Sequence, residues 1–214
     1  MATGYVEYDY RGPEPAWDQN LVLPTLRRFI GTMPLGSRLL DLGCGNGALL
    51  ATFAEAGWEL VGVDASHSGI TQARQHYPQV RFENADVCHD LTALFPPAYF
   101  DAIVAVEVVE HLYDPRRFVR NCWRLLKPAG TLVLTTPYHG YLKNIAIAVS
   151  GKSDHHYNPL WDCGHIKFWS KRTITTLLEE AGFNAFAFAC RGRLPLLWKD
   201  MIVRARKPAS DARD

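Results

Sequence analysis

The sequence predicts an α/β fold: a Rossmann-like, doubly wound sheet, mostly parallel, ending in a hairpin. Three observations carry this. Short apolar runs and helical patterns alternate from residue 38 to residue 135, the order that builds a parallel sheet wrapped by helices on both faces. The first apolar run, Leu39-Leu40-Asp41-Leu42, stops at Gly43-Cys44-Gly45-Asn46-Gly47, as a buried strand does when it ends in a tight loop. Near the end, two strand-like runs flank a turn between Gly192 and Pro195. At 214 residues and 48% hydrophobic, the chain suits one such domain with a proper core and is short for two. Residues 1–214 therefore read as a single domain.

Residues 1–15 carry Gly4, Gly12, Pro13 and Pro15 and read as an extended N-terminal arm. Leu21, Leu26, Phe29 and Ile30 then recur at helical spacing, ended by Pro34-Leu35-Gly36. The alternation continues as strand 38–42, helix 47–56, strand 59–63, helix 67–76 and strand 80–83. A short turn or helix at 90–95 is broken by Pro96-Pro97. Strand 101–105, helix 115–126 and strand 131–135 complete the parallel set. Residues 138–168 interrupt the pattern with an aromatic-rich excursion holding His139, His155, His156, Tyr157, Trp161 and His165. A long excursion after the last parallel strand reads as a lid over an acceptor site, or otherwise as a satellite hydrophobic cluster, with Tyr141–Val149 expected as a short helix. Helix 171–181 stops at Gly182, and strands 183–190 and 198–205 close the chain.

Net charge is +1 with no block of like charge, so no global field recruits nucleic acid. The five cysteines (44, 88, 122, 163 and 190) are scattered and odd in number. They argue for reduced thiols in a cytoplasmic protein rather than a disulfide framework. The polar, aromatic start does not resemble a signal peptide, and no apolar run approaches the ~20 residues that span a bilayer.

The glycine loop and the strand after it suggest an adenosyl ligand. Glycines at 43, 45 and 47 supply positive φ and let backbone approach a ligand closely. The next strand ends in Asp64, placed to accept from a ribose diol. The spacing G-x-G-x-G departs from the dinucleotide fingerprint. Asp41, two residues before the first glycine, would face a pyrophosphate unfavourably but suits a sulfonium and an amino group. Cys44 reads as a small side chain beneath the ligand. Glu107, Glu110 and His111 stand at i, i+3 and i+4, so on a helix they would share one face. Two carboxylates and an imidazole there form a candidate divalent-metal site; otherwise Glu107 buttresses the pocket and His111 caps or packs.

The runs LLDLGCGNG (39–47), VGVD (61–64), NADV (84–87), AVEVVEH (105–111) and LLKPAGTLVLTTP (125–137) resemble class I S-adenosylmethionine-dependent methyltransferases. Within them the chain is most similar to the ubiquinone-biosynthesis O-methyltransferase branch, over roughly residues 35–190. The resemblance implies that the terminal hairpin adds one antiparallel strand to the sheet. It implies S-adenosyl-L-methionine as methyl donor, S-adenosyl-L-homocysteine as product, and contacts from Asp41, Gly43, Cys44, Gly45, Asn46, Asp64, Ala65, Asp86, Val87 and Val106. Tyr8, Tyr10 and Trp17 of the arm are expected to close over it.

The same resemblance implies Mg2+ or another divalent ion held by Glu107, Glu110 and His111. Small-RNA 2′-O-methyltransferases carry a similar box and add a downstream histidine, which falls here on His165. Without a metal, His111, His139 or His165 would act as the base. The implied reaction is O-methylation of a small acceptor with adjacent oxygens, a phenol, catechol or diol. Competing readings are a metal-independent N- or O-methyltransferase, an RNA 2′-O-methyltransferase, a non-catalytic cofactor-binding protein and a nicotinamide oxidoreductase. The apolar residues of 141–149 suit at most weak peripheral membrane contact.

Overall fold

The computed structural model describes residue 10, residues 17–192 and residues 194–209. The expected N-terminal arm, Tyr8 included, lies outside the described residues apart from Tyr10. Helix α1 spans Trp17–Ile30. The alternating region then gives β1 (Arg38–Leu42), α2 (Ala48–Ala51), β2 (Glu59–Asp64), α3 (His67–His76), β3 (Arg81–Asn84), β4 (Phe100–Val106), α4 (Pro115–Leu125) and β5 (Leu126–Pro137). After β5 come α5 (Tyr141–Val149), α6 (Ser153–His156), α7 (Lys171–Glu180), β6 (Asn184–Arg191) and β7 (Asp200–Arg206).

The strands form one seven-stranded sheet in the order β3-β2-β1-β4-β5-β7-β6. The first five pair in parallel, while β7 inserts antiparallel between β5 and β6. The strand order reverses between β1 and β4, and the glycine loop leaves β1 beside that switch, where ligands of open α/β sheets bind. Apolar side chains pack on both faces. Phe95, Phe100, Phe118, Leu125, Ile174 and Leu178 lie in one layer, and Leu26, Leu49, Leu50, Ile70 and Phe82 in the other. Three helices begin where a side chain satisfies an orphan amide. Ser66 caps α3 through the Gly69 N–H at 2.9 Å, Asp114 caps α4 ahead of Pro115, and Ser170 with Thr173 makes a capping box on α7.

Two elements differ from the sequence expectation. The helix expected over 47–56 is only Ala48–Ala51, followed by a 3-10 turn at Ala54–Ala56. The Thr52 hydroxyl donates to the Leu49 carbonyl at 2.7 Å, a local bond that competes with helix continuation. The strand expected at 131–135 extends over Leu126–Pro137, because Leu126 already pairs with Phe100 before a register shift. No helix among the described residues is long and apolar enough to cross a membrane.

Candidate functional site

The carboxyl ends of β1, β2 and β4 bring the candidate ligand residues to one edge. Gly43 adopts φ 87° and its N–H donates to the Val63 carbonyl at 2.7 Å, locking the loop to the neighbouring strand. Asp64 spans the gap: Oδ2 accepts from the Gly45 N–H at 2.8 Å and Oδ1 from the Ser66 N–H at 2.7 Å. Its remaining lone pairs are the part that can receive a diol. Burial raises the Asp64 pKa, partly countered by the Ser66 and Gly45 amides.

Asp41 is buried, and its Oδ1 has no hydrogen-bond partner among the described residues. Burial, then the Asp64 charge, pushes its pKa up to about 8. An isolated acid kept largely neutral beneath a loop is primed for a cationic group to draw out its charge. Cys44 is buried, and burial holds its thiol well above the ordinary range, so it fills space rather than attacks. The Asn46 Oδ1 accepts from the Ala48 N–H at 3.2 Å in the turn that leads into α2.

Around the loop, Ala65 gives its carbonyl to Asn84 Nδ2 at 3.0 Å. Asp86 accepts from the Cys88 N–H at 2.7 Å in a local turn, which aims Val87 into the core. Val106 is buried at the end of β4. Tyr10 packs on the loop: a Cβ placed on Gly45 would fall 2.6 Å from the Tyr10 Cζ. Gln72 Nε2 holds the Tyr10 carbonyl at 2.6 Å. Trp17 is the first residue of α1.

The box after β4 is a turn and not a helix, so the shared helical face considered from spacing does not form. Glu107 takes φ 56°, unusual for a residue with a Cβ, and the chain reverses with the His111 N–H bonded to the Val108 carbonyl. The turn gathers Glu110 and His111 with His165, while Glu107, bonded to Thr135, is outside that cluster of ligand atoms. Ligand atoms of Glu110, His111 and His165 lie within 4.8 Å of one another, and His165 Nε2 is 4.0 Å from Glu110 Oε1. Glu110 is fully buried, with both carboxylate oxygens lacking a hydrogen-bond partner among the described residues. Burial, then the facing Glu107 carboxylate, drives its pKa well above the usual range. A buried, unpaired carboxyl is costly unless a ligand supplies what is missing.

His111 is oriented for that ligand. Its Nδ1 lies 2.8 Å from the Cys163 carbonyl and 3.3 Å from that of Gly164. Donation from Nδ1 leaves Nε2 as the lone-pair nitrogen, the arrangement found for metal-ligating histidines. Burial lowers its pKa. His165 is pushed down to about 4, by burial and then by His111. His139 is likewise lowered to about 4, by burial and then by Lys143. Its ring packs against Tyr157 and Phe168, with centroids 5.9 and 5.0 Å away.

Two side chains and one backbone contact with roles here were absent from the sequence expectation. Thr135, wholly buried on β5, bonds both the backbone and the carboxylate of Glu107. Thr136 sits beside Glu110 and holds its pKa down slightly against burial. The Glu110 carbonyl accepts from the Ile166 and Lys167 N–H groups at 3.0 and 2.9 Å, which docks the end of the 138–168 excursion onto the turn. Only the paired threonines at a strand end hinted at any of this.

A family described as a methyltransferase domain matches residues 16–187 of the chain. A ubiquinone biosynthesis O-methyltransferase of Coxiella burnetii (strain Dugway 5J108-111) is 32% identical over 158 residues, covering 70% of this chain and 68% of that protein. One from Bradyrhizobium sp. (strain ORS 278) is 37% identical over 116 residues, covering 54% of this chain. The match spans about half the length of that relative, 46%. A crystal structure of a SAM-dependent methyltransferase from Archaeoglobus fulgidus superposes with a TM-score of 0.68 at 20% identity, over 88% of this chain and 94% of that one.

Proposed function

Since the chain belongs to the class I S-adenosylmethionine-dependent methyltransferases, we propose that it methylates a hydroxyl of a small acceptor with adjacent oxygens, aided by a divalent cation. The observation that carries this reading is Glu110: a fully buried carboxyl with no hydrogen-bond partner among the described residues, facing Glu107, His111 and His165.

The donor set fits a divalent ion of the magnesium–manganese–iron class. Two carboxylates and two imidazoles mix hard oxygen with borderline nitrogen, and no thiolate is among them. Glu110, His111 and His165 would hold the ion, with the Glu107 carboxylate beside Glu110. Bound there, such an ion favours the ionised form of an acceptor oxygen and aligns a vicinal pair.

The chain's own residues do the rest. Asp41 and Asp64 bind the donor, Asp86 and Val87 face its adenine, and Val106 flanks it. The sulfonium supplies an activated methyl group, so orientation and a deprotonated acceptor are what remain for the protein to provide. Glu107 and Glu110 offset the cationic charge gathered beside the sulfonium. His139 and His165, with pKa values near 4, are neutral at pH 7 and hold a proton weakly, which makes them poor bases on their own. That weakness favours the metal-aided reading over a histidine base. Near-zero net charge favours a small acceptor over RNA.

The test is conversion of S-adenosylmethionine to S-adenosylhomocysteine with a catechol as acceptor. Activity is read after exhaustive chelation, then after adding back magnesium, manganese or zinc singly. Loss on chelation and recovery with one ion is expected. Full activity in excess chelator overturns the metal and leaves a histidine as base.

A further inference from the structure

We infer that Lys143 of the lid helix determines acceptor specificity by pairing with an anionic group that the acceptor carries beyond its reacting hydroxyl. This rests on the proposed acceptor site, which it deepens by naming the charge of the substrate. Lys143 lies in the first turn of α5, four residues past His139. Its ammonium reaches the end of the sheet, 3.4 Å from the Lys199 carbonyl. That carbonyl already accepts from the Tyr138 N–H at 2.8 Å, so the lysine's bond is long and shared. Among the described residues Lys143 makes this one hydrogen bond and no ion pair. Three donors on a half-buried cation are thus largely unspent.

The surroundings say where the cation faces. Its charge is felt at His139, His156 and His165, lowering each. In return it feels Asp200, Lys199 and Glu107. The Lys199 carbonyl that it meets is bonded to Tyr138, three residues past the Thr135 that holds Glu107, so the ammonium stands at the end of β5 beside the strand that delivers Glu107. Asp200 is buried on β7 and acts on Lys143 through its field. Solvation would favour an exposed lysine on an otherwise apolar lid helix; retention half-buried, without an ion-pair partner among the described residues, fits a partner that arrives with the acceptor. An oxyanion such as a carboxylate or phosphate monoester meets an ammonium at hydrogen-bonding distance with charge assistance. The aromatic residues Tyr157 and Phe168, in mutual edge contact at 5.1 Å and both packed on His139, offer the acceptor an apolar wall.

The experiment compares 3,4-dihydroxybenzoate with 3,4-dihydroxybenzyl alcohol, equal in shape but not in charge. Both are titrated calorimetrically into the full chain loaded with S-adenosylhomocysteine and magnesium, and both are assayed for turnover. The parent is expected to bind the carboxylate roughly tenfold or more tightly. Lys143→Met should bring the two within about twofold and Lys143→Arg should keep the preference. An unchanged melting midpoint and unchanged S-adenosylhomocysteine affinity in Lys143→Met certify its fold. Equal affinities in the parent, binding of neither probe, or a preference that survives Lys143→Met each overturn the inference. Failure of the diol reading looks different: selective binding of the carboxylate without methylation of either probe.

Discussion

The Thr135 hydroxyl donates to Glu107 Oε1 at 2.8 Å while its oxygen accepts from the Glu107 N–H at 3.0 Å. One buried side chain thereby holds both ends of a residue whose backbone sits at φ 56°. A left-handed conformation costs a residue with a Cβ about 1–2 kcal/mol, so the paired bonds are what keep it populated. They also hold the carboxylate beside Glu110.

Thr135→Val should therefore loosen Glu107 without opening a cavity. Manganese binding, followed by the electron paramagnetic resonance of the free ion, is expected to weaken about tenfold, from loss of a hydrogen bond to a charged group worth ~1.5–3 kcal/mol. Thr135→Ser should restore it. Parent-like affinity in the valine variant would reduce Thr135 to packing.

Asp41 links cofactor binding to a proton. With its pKa at about 8 in the cofactor-free fold, it is largely protonated at pH 7. A cationic ligand favours the anion, so S-adenosylmethionine should release close to one proton on binding. Calorimetry in buffers of different ionisation enthalpy reads that number directly. The folded pKa is raised, so the contribution to stability is full below the ordinary pKa of 3.8 and is lost as pH rises through 8. Asp41→Asn should release no proton and flatten that pH dependence.

Asp64→Ala should weaken S-adenosylhomocysteine about ten- to hundredfold, the worth of charge-assisted bonds to two hydroxyls. It should also lower the melting midpoint, since the carboxylate ties Gly45 to Ser66. Calorimetric affinity equal to the parent would remove Asp64 from the binding site.

Glu110→Gln should trade function for stability. Burial raises the Glu110 pKa, so its unfavourable ionisation deepens as pH rises above the ordinary carboxylate range. In excess chelator the variant is expected to melt at or above the parent by about 2–4 °C, a gap that widens with pH. Stabilisation by added magnesium should vanish with the carboxylate. A large drop in midpoint would mean that the charge is satisfied within the fold.

Much of this protein was legible in its sequence because the signals are local. Leu39–Leu42 running into three glycines and Asp64 closing the next strand each depend on neighbours a few residues away. The parallel sheet then follows from the alternation of strands and helices. The tertiary structure decided what lies far apart in the chain. Spacing suggested that Glu107, Glu110 and His111 would share a helical face. Glu110 and His111 meet instead in a turn, while Thr135, 28 residues on, holds Glu107 in a left-handed conformation beside them. His165 joins them only because the Ile166 and Lys167 amides dock on the Glu110 carbonyl. Asp41 and Glu110 read as ordinary acids in a string of letters. Burial, which is a property of packing rather than of residue type, turned them into high-pKa groups awaiting charge.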